Sequence, residues 1–358
     1  MSLHFFPAKV KEIRKETNDC ISIALQISDD IKKHFEYQHG QYITVRAFIN
    51  NEEVRRSYSL CSSPLDNEWR IAVKRIPEGV FSSYAEEQLK IGDELEIMPP
   101  MGKFNTILHS EHKKSYIGFA AGSGITPVLS IIKTTLRTEP ESSFTLIYGN
   151  KTKGSIIFKE ELEALKNKYI NRFRVIHILS RERTDADINY GRIDRDKCEV
   201  LFSKLIDLNA DEFFICGPEE MIFTAKDFLT DKGIEKNKIH FELFTSPNQN
   251  KAKKQIQQTK QSTGPVSKIT VRLDGRSFDF DLPYDSNNIL DAALHQGADL
   301  PYACKGGVCC TCRAKLIEGE VEMEANYGLE PEEVAQGFIL TCQSHPKTEK
   351  VVVDFDSK

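Results

Sequence analysis

Four cysteines lie within nine residues, 304–312, in the stretch CKGGVCCTC, and the chain of 358 residues contains nine cysteines. The stretch MSLHFFPAKVKEIRKE at the N-terminus contains no apolar segment of the kind that directs export, and no apolar run approaches membrane-spanning length. A cytoplasmic location without membrane contact is therefore expected. In a reducing compartment, clustered cysteines bind metal or carry out redox chemistry more often than they form disulfides.

The spacing of these cysteines indicates the kind of metal site. Cys304, Cys309 and Cys312 follow the pattern C-x4-C-x2-C, and Cys342 comes later in ILTCQSH. This is the plant-type [2Fe–2S] spacing, in which four thiolates hold two irons. Cys310 would break the spacing and is predicted not to be a ligand. Zinc is the alternative, although structural zinc sites usually have two close pairs of ligands and this stretch has one.

A polar stretch, residues 245–266, divides the chain into a larger and a smaller part. It contains four lysines, no acidic residue and no apolar stripe, so we predict a flexible linker. Residues 267–358 carry 9 basic and 16 acidic residues, a net charge of −7, whereas residues 1–244 have a net charge of −2. The net charge of −5 for the whole chain gives no reason to expect nucleic acid as a partner.

Two different strand patterns precede the linker. Residues 1–108 contain QYITVRAF, RRSYSL and EWRIAVKRI, which alternate or run apolar between turn residues and predict a small antiparallel β-barrel. Residues 109–244 contain KSYIGFAAG, SFTLIYGN, FRVIHILS and DEFFICGP, which are short apolar runs followed by helix-compatible stretches. Their order predicts an α/β domain with a parallel sheet and helices on both faces.

The part after the linker, residues 267–358, is predicted to be an α+β domain. KITVRLDG and RSFDFDLP alternate like the two strands of a hairpin. DSNNILDAALHQG then predicts a helix, with Asp285 or Ser286 as its N-cap and Gly297 at its C-terminal end. CRAKLIEGEVEM and KVVVDF supply further strands.

The stretch RRSYSL carries three residue types that suit a flavin. Arg56 offers a planar fork to a phosphate, Tyr58 can cover the face of an aromatic ring, and Ser59 can hydrogen-bond a ring nitrogen. A second stretch, GVFSSY, follows with Gly79 and Ser82. An exposed Arg beside a half-buried Tyr is common in strands, so the assignment depends on the motifs that come next.

Two further stretches combine the end of a strand with a tight turn. FAAGSGITPVLS places Gly122 and Gly124 there, and ICGPEEM places Cys216, Gly217 and Pro218 in the same position. Backbone N–H groups at such a turn, together with a helix N-terminus, bind a pyrophosphate. The third glycine of the usual dinucleotide fingerprint is missing, and a purely structural turn is an equally good interpretation of the first stretch by itself.

Taken in order, R-x-Y-S, G-V-x-S, A-G-x-G-I-T-P, Y-G-N and C-G-P resemble the ferredoxin–NADP reductase superfamily over residues 1–244. The resemblance implies a flavin on the barrel and a nicotinamide dinucleotide on the parallel-sheet domain. The flavin is predicted to be FAD, and FMN is the alternative because R-x-Y-S does not discriminate between the two. The cofactor contacts that it implies are Arg56, Tyr58, Ser59, Gly79, Ser82, Gly122, Gly124, Thr126, Gly217 and Pro218. It also implies catalytic roles at the flavin edge for Ser59, Cys216 and Glu242, the last in HFELF.

The stretch ILSRER bears on the choice of coenzyme. Ser180 and Arg181 follow a strand of the nucleotide domain, where an acidic side chain binds a free ribose 2′-hydroxyl and a basic group binds a 2′-phosphate. In NADP-using members of the superfamily, Ser-Arg at this point contacts that phosphate, so NADPH is the expected cosubstrate. A solvated basic turn is the alternative.

The last part of the chain carries a second resemblance. LPYACKGGVCCTC, together with the remote Cys342, is similar to the plant-type ferredoxin family over about 90 residues, from Lys268 onward. The resemblance implies a β-grasp fold with the cluster in an exposed loop.

A reductase followed by a cluster domain is the order found in one class of oxygenase reductases. AVKRIPEGVFSSYA and MPPMGKFN resemble the reductases that serve oxygenases epoxidising the ring of phenylacetyl-CoA. The resemblance implies an NAD(P)H-dependent oxidoreductase that passes electrons to the metal centre of an oxygenase, a diiron centre in that family. The alternatives are the reductase of another oxygenase, hydroxylase or desaturase, a stand-alone diaphorase or redox sensor, and a zinc-stabilised adaptor.

Overall fold

The computed structural model describes residues 4–244 and 265–357. Most of the predicted linker, residues 245–264, lies outside the described residues. The chain forms two compact units, Met1–Phe244 and Thr245–Lys358. Within the part of the chain that the structure describes, no helix is both long enough and apolar enough to cross a membrane.

The first unit begins with a six-stranded sheet. Its strands are β1 (Phe6–Thr17), β2 (Cys20–Gln26), β3 (Tyr42–Ile49), β4 (Glu52–Ser59), β5 (Trp69–Lys74) and β6 (Glu94–Ile97), and helix α1 (Val80–Glu87) connects the last two. The strand order is β4-β3-β6-β1-β2-β5, and every pairing is antiparallel. An isolated bridge between Leu60 and Ile71 joins the two ends of the sheet. The predicted antiparallel organisation is therefore confirmed.

Burial along these strands follows the sequence pattern. In β1, Ala8 and Val10 are buried while Lys9 and Lys11 are exposed, as expected for a strand with one face on the core. β2, CISIALQ, is buried at every position except the last, so both of its faces are covered. The apolar side chains of this sheet and of α1 form one continuous core.

The second half of the first unit is a five-stranded sheet. Its strands are β7 (Ser115–Ala121), β8 (Ser143–Asn150), β9 (Phe173–Leu179), β10 (Glu212–Cys216) and β11 (Ile239–Glu242), and its helices are α2 (Ile125–Thr138), α3 (Lys159–Lys168), α4 (Arg195–Lys204) and α5 (Glu219–Asp231). The order is β11-β10-β7-β8-β9, and all pairings are parallel. The predicted parallel sheet is confirmed.

The second unit is built on a mixed sheet. Its strands are β12 (Val266–Leu273), β13 (Arg276–Pro283), β14 (Arg313–Glu318), β15 (Val321–Met323), β16 (Phe338–Leu340), β17 (Ser344–Pro346) and β18 (Lys350–Asp354), and its helices are α6 (Ile289–His295) and α7 (Pro331–Ala335). The main sheet has the order β13-β12-β18-β14-β16, and β15 pairs with β17. β12 and β18 run parallel, whereas the other pairings are antiparallel.

Two details of the second unit differ from the sequence analysis. Val266, which the prediction assigned to the linker, is the first residue of β12. The N-cap of α6 is Asn288 rather than Asp285 or Ser286, because the Asn288 side chain accepts the N–H of Asp291. The hydroxyl of Ser286 instead donates to the carbonyl of Pro283 and so belongs to the preceding turn.

Candidate active site

The carboxyl ends of the parallel strands form the edge where nucleotides bind in open α/β sheets. The chain changes direction between β7 and β10, because β8 and β9 extend the sheet on one side and β11 extends it on the other. A 3-10 turn, Gly122–Gly124, follows β7, and Cys216 ends β10. A side-chain carbon at Gly124 would lie 2.1 Å from the carbonyl oxygen of Cys216, so only glycine allows the two segments to approach this closely.

Two hydroxyl groups hold the turn after β7. Thr126 Oγ1 donates to the carbonyl of Ser123 at 3.0 Å, and the phenol of Tyr148 donates to the carbonyl of Gly122 at 3.0 Å. Gly122 itself has a φ of +54°, in the left-handed region that glycine adopts without penalty. One ordered turn at the start of α2 therefore contains three of the predicted residues, Gly122, Gly124 and Thr126.

The second predicted turn, after β10, is equally crowded. A side-chain carbon at Gly217 would lie 2.7 Å from Cε of Met221 and 3.2 Å from the backbone nitrogen of Ala121. Pro218 is the N-cap of α5. The turns after β7 and β10 therefore lie against each other at the point where the chain changes direction.

The three residues predicted to be catalytic come together at this place. Cys216 and Glu242 are partners across β10 and β11, and Ser59 at the end of β4 donates to the Glu242 carboxyl at 3.0 Å. Burial raises the pKa of Glu242 to about 8, against an opposing effect of the Ser59 hydroxyl. Burial also raises the pKa of the Cys216 thiol. At neutral pH the site therefore presents a protonated carboxyl, a neutral thiol and a hydroxyl.

Two of the predicted flavin residues of β4, Arg56 and Tyr58, share one face of the strand. Alternate residues of a strand point to the same side, and this places Arg56 with Tyr58. The Tyr58 ring packs against Phe81 of α1, with ring centroids 5.4 Å apart, and burial raises the pKa of its phenol. Arg56 is exposed, and its guanidinium donates to the carbonyl of Arg55 at 2.7 Å. An uncharged ring and a guanidinium therefore lie on one surface, as a flavin nucleotide requires.

Gly79 and Ser82 form the N-terminus of α1. Gly79 is its N-cap, and a side-chain carbon there would lie 2.5 Å from Cγ1 of Ile76. The Ser82 hydroxyl donates to the carbonyl of Gly79 at 3.2 Å and accepts the N–H of Ile76 at 3.3 Å. Because that hydroxyl serves the turn, a phosphate at this end of the helix would be received by backbone N–H groups.

The residues predicted to select the coenzyme lie at the opposite edge of the parallel sheet. The N–H of Ser180 donates to the carbonyl of Asn150, and the N–H of Arg181 donates to the carbonyl of Lys151, both at 2.9 Å. β9 and β10 are three strand spacings apart, about 14 Å. The structure therefore does not bring Ser180 and Arg181 to Cys216.

Asn150 was not singled out from the sequence. It ends β8, its side chain is 8% exposed, and its amide lies against the phenol of Tyr148. Asn150 therefore stands beside the turn that Tyr148 holds, at the edge where nucleotides bind in open α/β sheets. The sequence run Y-G-N, which contains Asn150, is the signal that could have pointed to this residue.

In the second unit, the four predicted cluster ligands converge. Cys304 Sγ accepts the N–H groups of Gly306 at 3.3 Å and Cys309 at 3.4 Å, and the Sγ atoms of Cys304 and Cys309 are 3.1 Å apart. Cys342 contacts both Cys304 and Cys312. The hydrogen bond from the Cys309 thiol is the main cause of a lowered pKa at Cys304, which favours the thiolate.

The backbone around these cysteines suits a cluster. Lys305 and Gly307 both have positive φ, +48° and +73°, and a side-chain carbon at Gly307 would lie 2.8 Å from the carbonyl oxygen of Ala325. Cys310 is turned to another partner, since its thiol donates to the carbonyl of Gly328 at 2.7 Å. Within residues 4–244 and 265–357, no group of three or more His, Cys, Asp or Glu side chains has the arrangement that would hold a single metal ion. Four thiols with N–H groups directed at sulfur fit a two-iron cluster.

Three family models match the chain in the order of its three main sheets. The oxidoreductase FAD-binding domain matches residues 7–106, the oxidoreductase NAD-binding domain matches residues 119–227, and the 2Fe-2S iron-sulfur cluster binding domain matches residues 271–347. These matches confirm FAD, a [2Fe–2S] cluster and NAD(P)H as the predicted cofactors.

Relatives resemble the chain over nearly its whole length. It is 46% identical over 355 residues to one of the subunits of 1,2-phenylacetyl-CoA epoxidase of Escherichia coli (strain K12), covering 99% of this chain and 98% of the relative. It is 33% identical over 350 residues to the ferredoxin reductase component of 3-ketosteroid-9-alpha-monooxygenase of Rhodococcus rhodochrous, covering 97% of this chain and 95% of the relative.

A solved structure shares the fold. Phthalate dioxygenase reductase matches with a TM-score of 0.60 at 24% sequence identity, covering 99% of this chain and 100% of that one. With the sequence relatives and the three family models, this likeness extends over the flavin, nucleotide and cluster regions alike. The chain belongs to the family of oxygenase reductase components that combine FAD-binding, NAD-binding and [2Fe–2S] domains.

Proposed function

We propose that this chain takes a hydride from NADPH and delivers single electrons, through FAD and a [2Fe–2S] cluster, to the metal centre of an oxygenase. When bound, FAD accepts a hydride as an electron pair and releases electrons one at a time, which suits a position between nicotinamide and cluster. The observation that carries the proposal is the contact of Ser59 with Glu242 beside Cys216, because it joins the flavin-binding sheet to the nucleotide-binding sheet.

At this contact, the residues of the chain position the reactants. Glu242 holds a proton at its carboxyl and Ser59 orients that carboxyl. The close approach of Gly124 to Cys216 brings together the two turns that would bind the dinucleotide. Cys216 offers a neutral, polarisable surface to the ring, because its thiol stays protonated. Together these groups would hold the nicotinamide against the flavin.

The remaining roles follow the positions of the side chains. Arg56 would pair with a flavin phosphate and Tyr58 would cover the ring, while the first turn of α1, with Gly79 and Ser82, would receive the phosphates. The turns that contain Gly122, Gly217 and Pro218 would bind the pyrophosphate of NADPH, with Thr126 fixing the first of them. Ser180 and Arg181 would bind the 2′-phosphate. Cys304, Cys309, Cys312 and Cys342 would hold the cluster.

The same proposal includes a finer description of the fold. The bridge between Leu60 and Ile71 supports closure of the first sheet into a barrel, residues 1–108. The parallel sheet would form the nucleotide domain, residues 109–244. The packing of α6 on a mixed sheet supports a β-grasp cluster domain, which begins with Val266 as the first residue of β12.

We further propose that the partner is a diiron oxygenase that epoxidises phenylacetyl-CoA. The support is the 46% identity, over 99% of the chain, to a protein named as part of that epoxidase. The test is reconstitution of the purified chain with the other proteins of the epoxidase, NADPH and phenylacetyl-CoA, and NADPH-dependent product is expected. If product does not form while an artificial acceptor is still reduced by NADPH, the partner is wrong and the reductase chemistry stands.

A further inference from the structure

Gln343, directly after Cys342, is a buried polar residue that the proposed chemistry leaves without a role. Its side chain is 8% exposed and lies in the turn Thr341–Gln343, against which α6 packs. Its amide nitrogen donates to the carbonyls of Lys305 at 3.2 Å and Cys342 at 2.8 Å. Because carbonyl oxygens only accept hydrogen bonds, the end of the amide that faces them must be the nitrogen.

The same nitrogen lies 3.6 Å from a predicted cluster ligand, Cys342 Sγ. This is within hydrogen-bonding distance for a sulfur acceptor, whose radius is larger than that of oxygen. Because an amide nitrogen carries two hydrogens, one of them is shared between two of these three acceptors. Gln343 therefore directs a side-chain N–H at a ligand sulfur. It adds to the backbone N–H groups that point at Cys304 Sγ and to the Thr311 side chain, which hydrogen-bonds Cys309.

Gln343 also fixes the cysteine loop from the outside. Lys305, whose carbonyl it binds, has a φ of +48°, which is uncommon for a residue other than glycine. The two N–H groups that point at Cys304 Sγ lie within the next four residues of the loop. In addition, the main-chain carbonyl of Gln343 accepts the N–H of Glu324 at 2.9 Å. Gln343 thus connects Cys342, the loop that contains the first three cysteines, and the segment around Glu324.

We propose that Gln343 raises the reduction potential of the cluster, by donating a hydrogen bond to Cys342 Sγ and by fixing the loop that donates to Cys304 Sγ. This inference rests on the proposed ligation of the cluster by these cysteines. Reduction adds one negative charge, and an N–H directed at a ligand sulfur stabilises the more negative form more strongly. Gln343 acts through the ligands and is a positioning residue.

The test compares two variants of the loaded protein by EPR-monitored redox titration. Gln343→Leu removes the donor at similar volume, and Gln343→Glu keeps the side-chain shape but replaces the amide by a carboxyl group. We expect Gln343→Leu to lower the equilibrium constant for one-electron reduction of the cluster by up to about tenfold. For one electron, tenfold corresponds to a reduction potential lower by 59 mV. Gln343→Glu should lower it further, because its negative charge opposes reduction. Gln336→Leu, at an exposed glutamine of the same unit, is the matched control and should leave the potential unchanged.

The outcomes separate this role from the proposed function. If Gln343→Leu has full iron content and the wild-type reduction potential, Gln343 does not raise the potential of the cluster. The same conclusion follows if Gln336→Leu shifts the reduction potential by as much as Gln343→Leu does. If Gln343→Leu does not retain iron, Gln343→Glu decides by the same criterion. Pulsed EPR of the reduced wild-type cluster, with the glutamine amide labelled with ¹⁵N, provides a check without a variant, and absence of hyperfine coupling also overturns the role. A wild-type protein without [2Fe–2S] absorption contradicts the proposed function itself.

Discussion

Cys309 and Cys310 are adjacent cysteines with different surroundings. The thiol of Cys309 meets Cys304, whereas the thiol of Cys310 donates to the carbonyl of Gly328. We expect Cys309→Ser to lose most of the cluster and Cys310→Ser to keep it, because only the first removes a thiolate from the ligand set. Iron content and visible absorption of the two purified variants are the measurements. Retention by Cys309→Ser together with loss by Cys310→Ser would show that the ligand register is wrong.

Glu242 provides a prediction about pH. Its pKa is about 8 in the folded chain and near 4.5 when unfolded, so the folded state keeps a proton that the unfolded state has released. Stability should therefore fall as pH rises from about 4.5 to about 8, and change no further above that. Glu242→Gln cannot ionise and should lose this component of the pH dependence.

The measurement is the unfolding midpoint of wild type and Glu242→Gln across that pH range. Ser59→Ala is a useful second variant, because the Ser59 hydroxyl lowers the pKa of Glu242 and its removal should move the upper limit of the range to higher pH. Parallel curves for wild type and Glu242→Gln would contradict the raised pKa.

At the residue scale, the sequence predicted types of side chain better than their contacts. Ser59, Cys216 and Glu242 come from three distant motifs, and the resemblance to a family placed them at one site. Their contact depends on how β4 meets β11, which no local pattern encodes. Asn150 and Gln343 were not predicted, because the direction of a buried amide depends on tertiary packing.

The end of β9 is the element that bears on coenzyme choice. Ser180 and Arg181 are held by backbone hydrogen bonds to the end of β8, and Arg181 is exposed. A charge-assisted hydrogen bond between Arg and phosphate contributes about 1.5–3 kcal/mol, or about ten- to a hundredfold in preference. We expect Arg181→Ala to reduce the ratio of kcat/KM for NADPH to that for NADH by this factor, with little change for NADH. Equal kcat/KM for the two coenzymes in wild type would contradict the assignment.

Helix α2 ends at a buried carboxylate, Glu139, which is 0% exposed. Burial acts to raise its pKa, but hydrogen bonds from Ser142, Tyr116 and the N–H of His109 outweigh burial and hold the pKa below its ordinary value. The lowered pKa stabilises the fold above the unfolded pKa of about 4.5, and this stabilisation is lost as pH falls through the folded pKa.

We expect Glu139→Gln to lower the free energy of unfolding at pH 7 by about 1.5–3 kcal/mol, the value of a hydrogen bond to a charged group. The difference from wild type should shrink in acid. Urea unfolding at pH 7 and at a pH below 4.5 is the measurement, with Glu141→Gln, at an exposed acid two residues further on, as the control. A difference that is the same at both pH values would contradict the role of the charge.

At the element scale, long strands with a clear pattern were predictable and short elements were not. β3, β5, β7 and β8 coincide with the quoted apolar runs, because each buries a row of side chains. β16 and β17 have three residues each, too few for a period to show, and the equally short β15 was covered only as the end of the run CRAKLIEGEVEM. The N-cap of α6 was misplaced because four polar residues in succession, Asp285 to Asn288, could each have served.

The whole molecule has an uneven charge, with −7 on residues 267–358 and −2 on residues 1–244. Several of these acids have nearby cations, since Lys347 and Lys350 pair with Glu322 and Glu318. The remaining excess should still attract a basic surface on the oxygenase. We expect turnover of the reconstituted system to fall as NaCl rises from 0.05 to about 0.3 M, because screening shortens the range of attraction below about 10 Å. Reduction of an uncharged quinone by the same protein should not fall, and a parallel fall in both would contradict steering.

The pairing of β12 with β18 at the centre of the second unit has a consequence for biosynthesis. These strands are the first and last that the structure describes in this unit, and they lie side by side in parallel. The ribosome makes β18 after every other described strand of the sheet, so the middle of this sheet stays open until β18 has been synthesised. The first unit meets no such delay, since it is made earlier and domains generally fold as they emerge. A nascent chain would therefore acquire its flavin before it is able to receive iron.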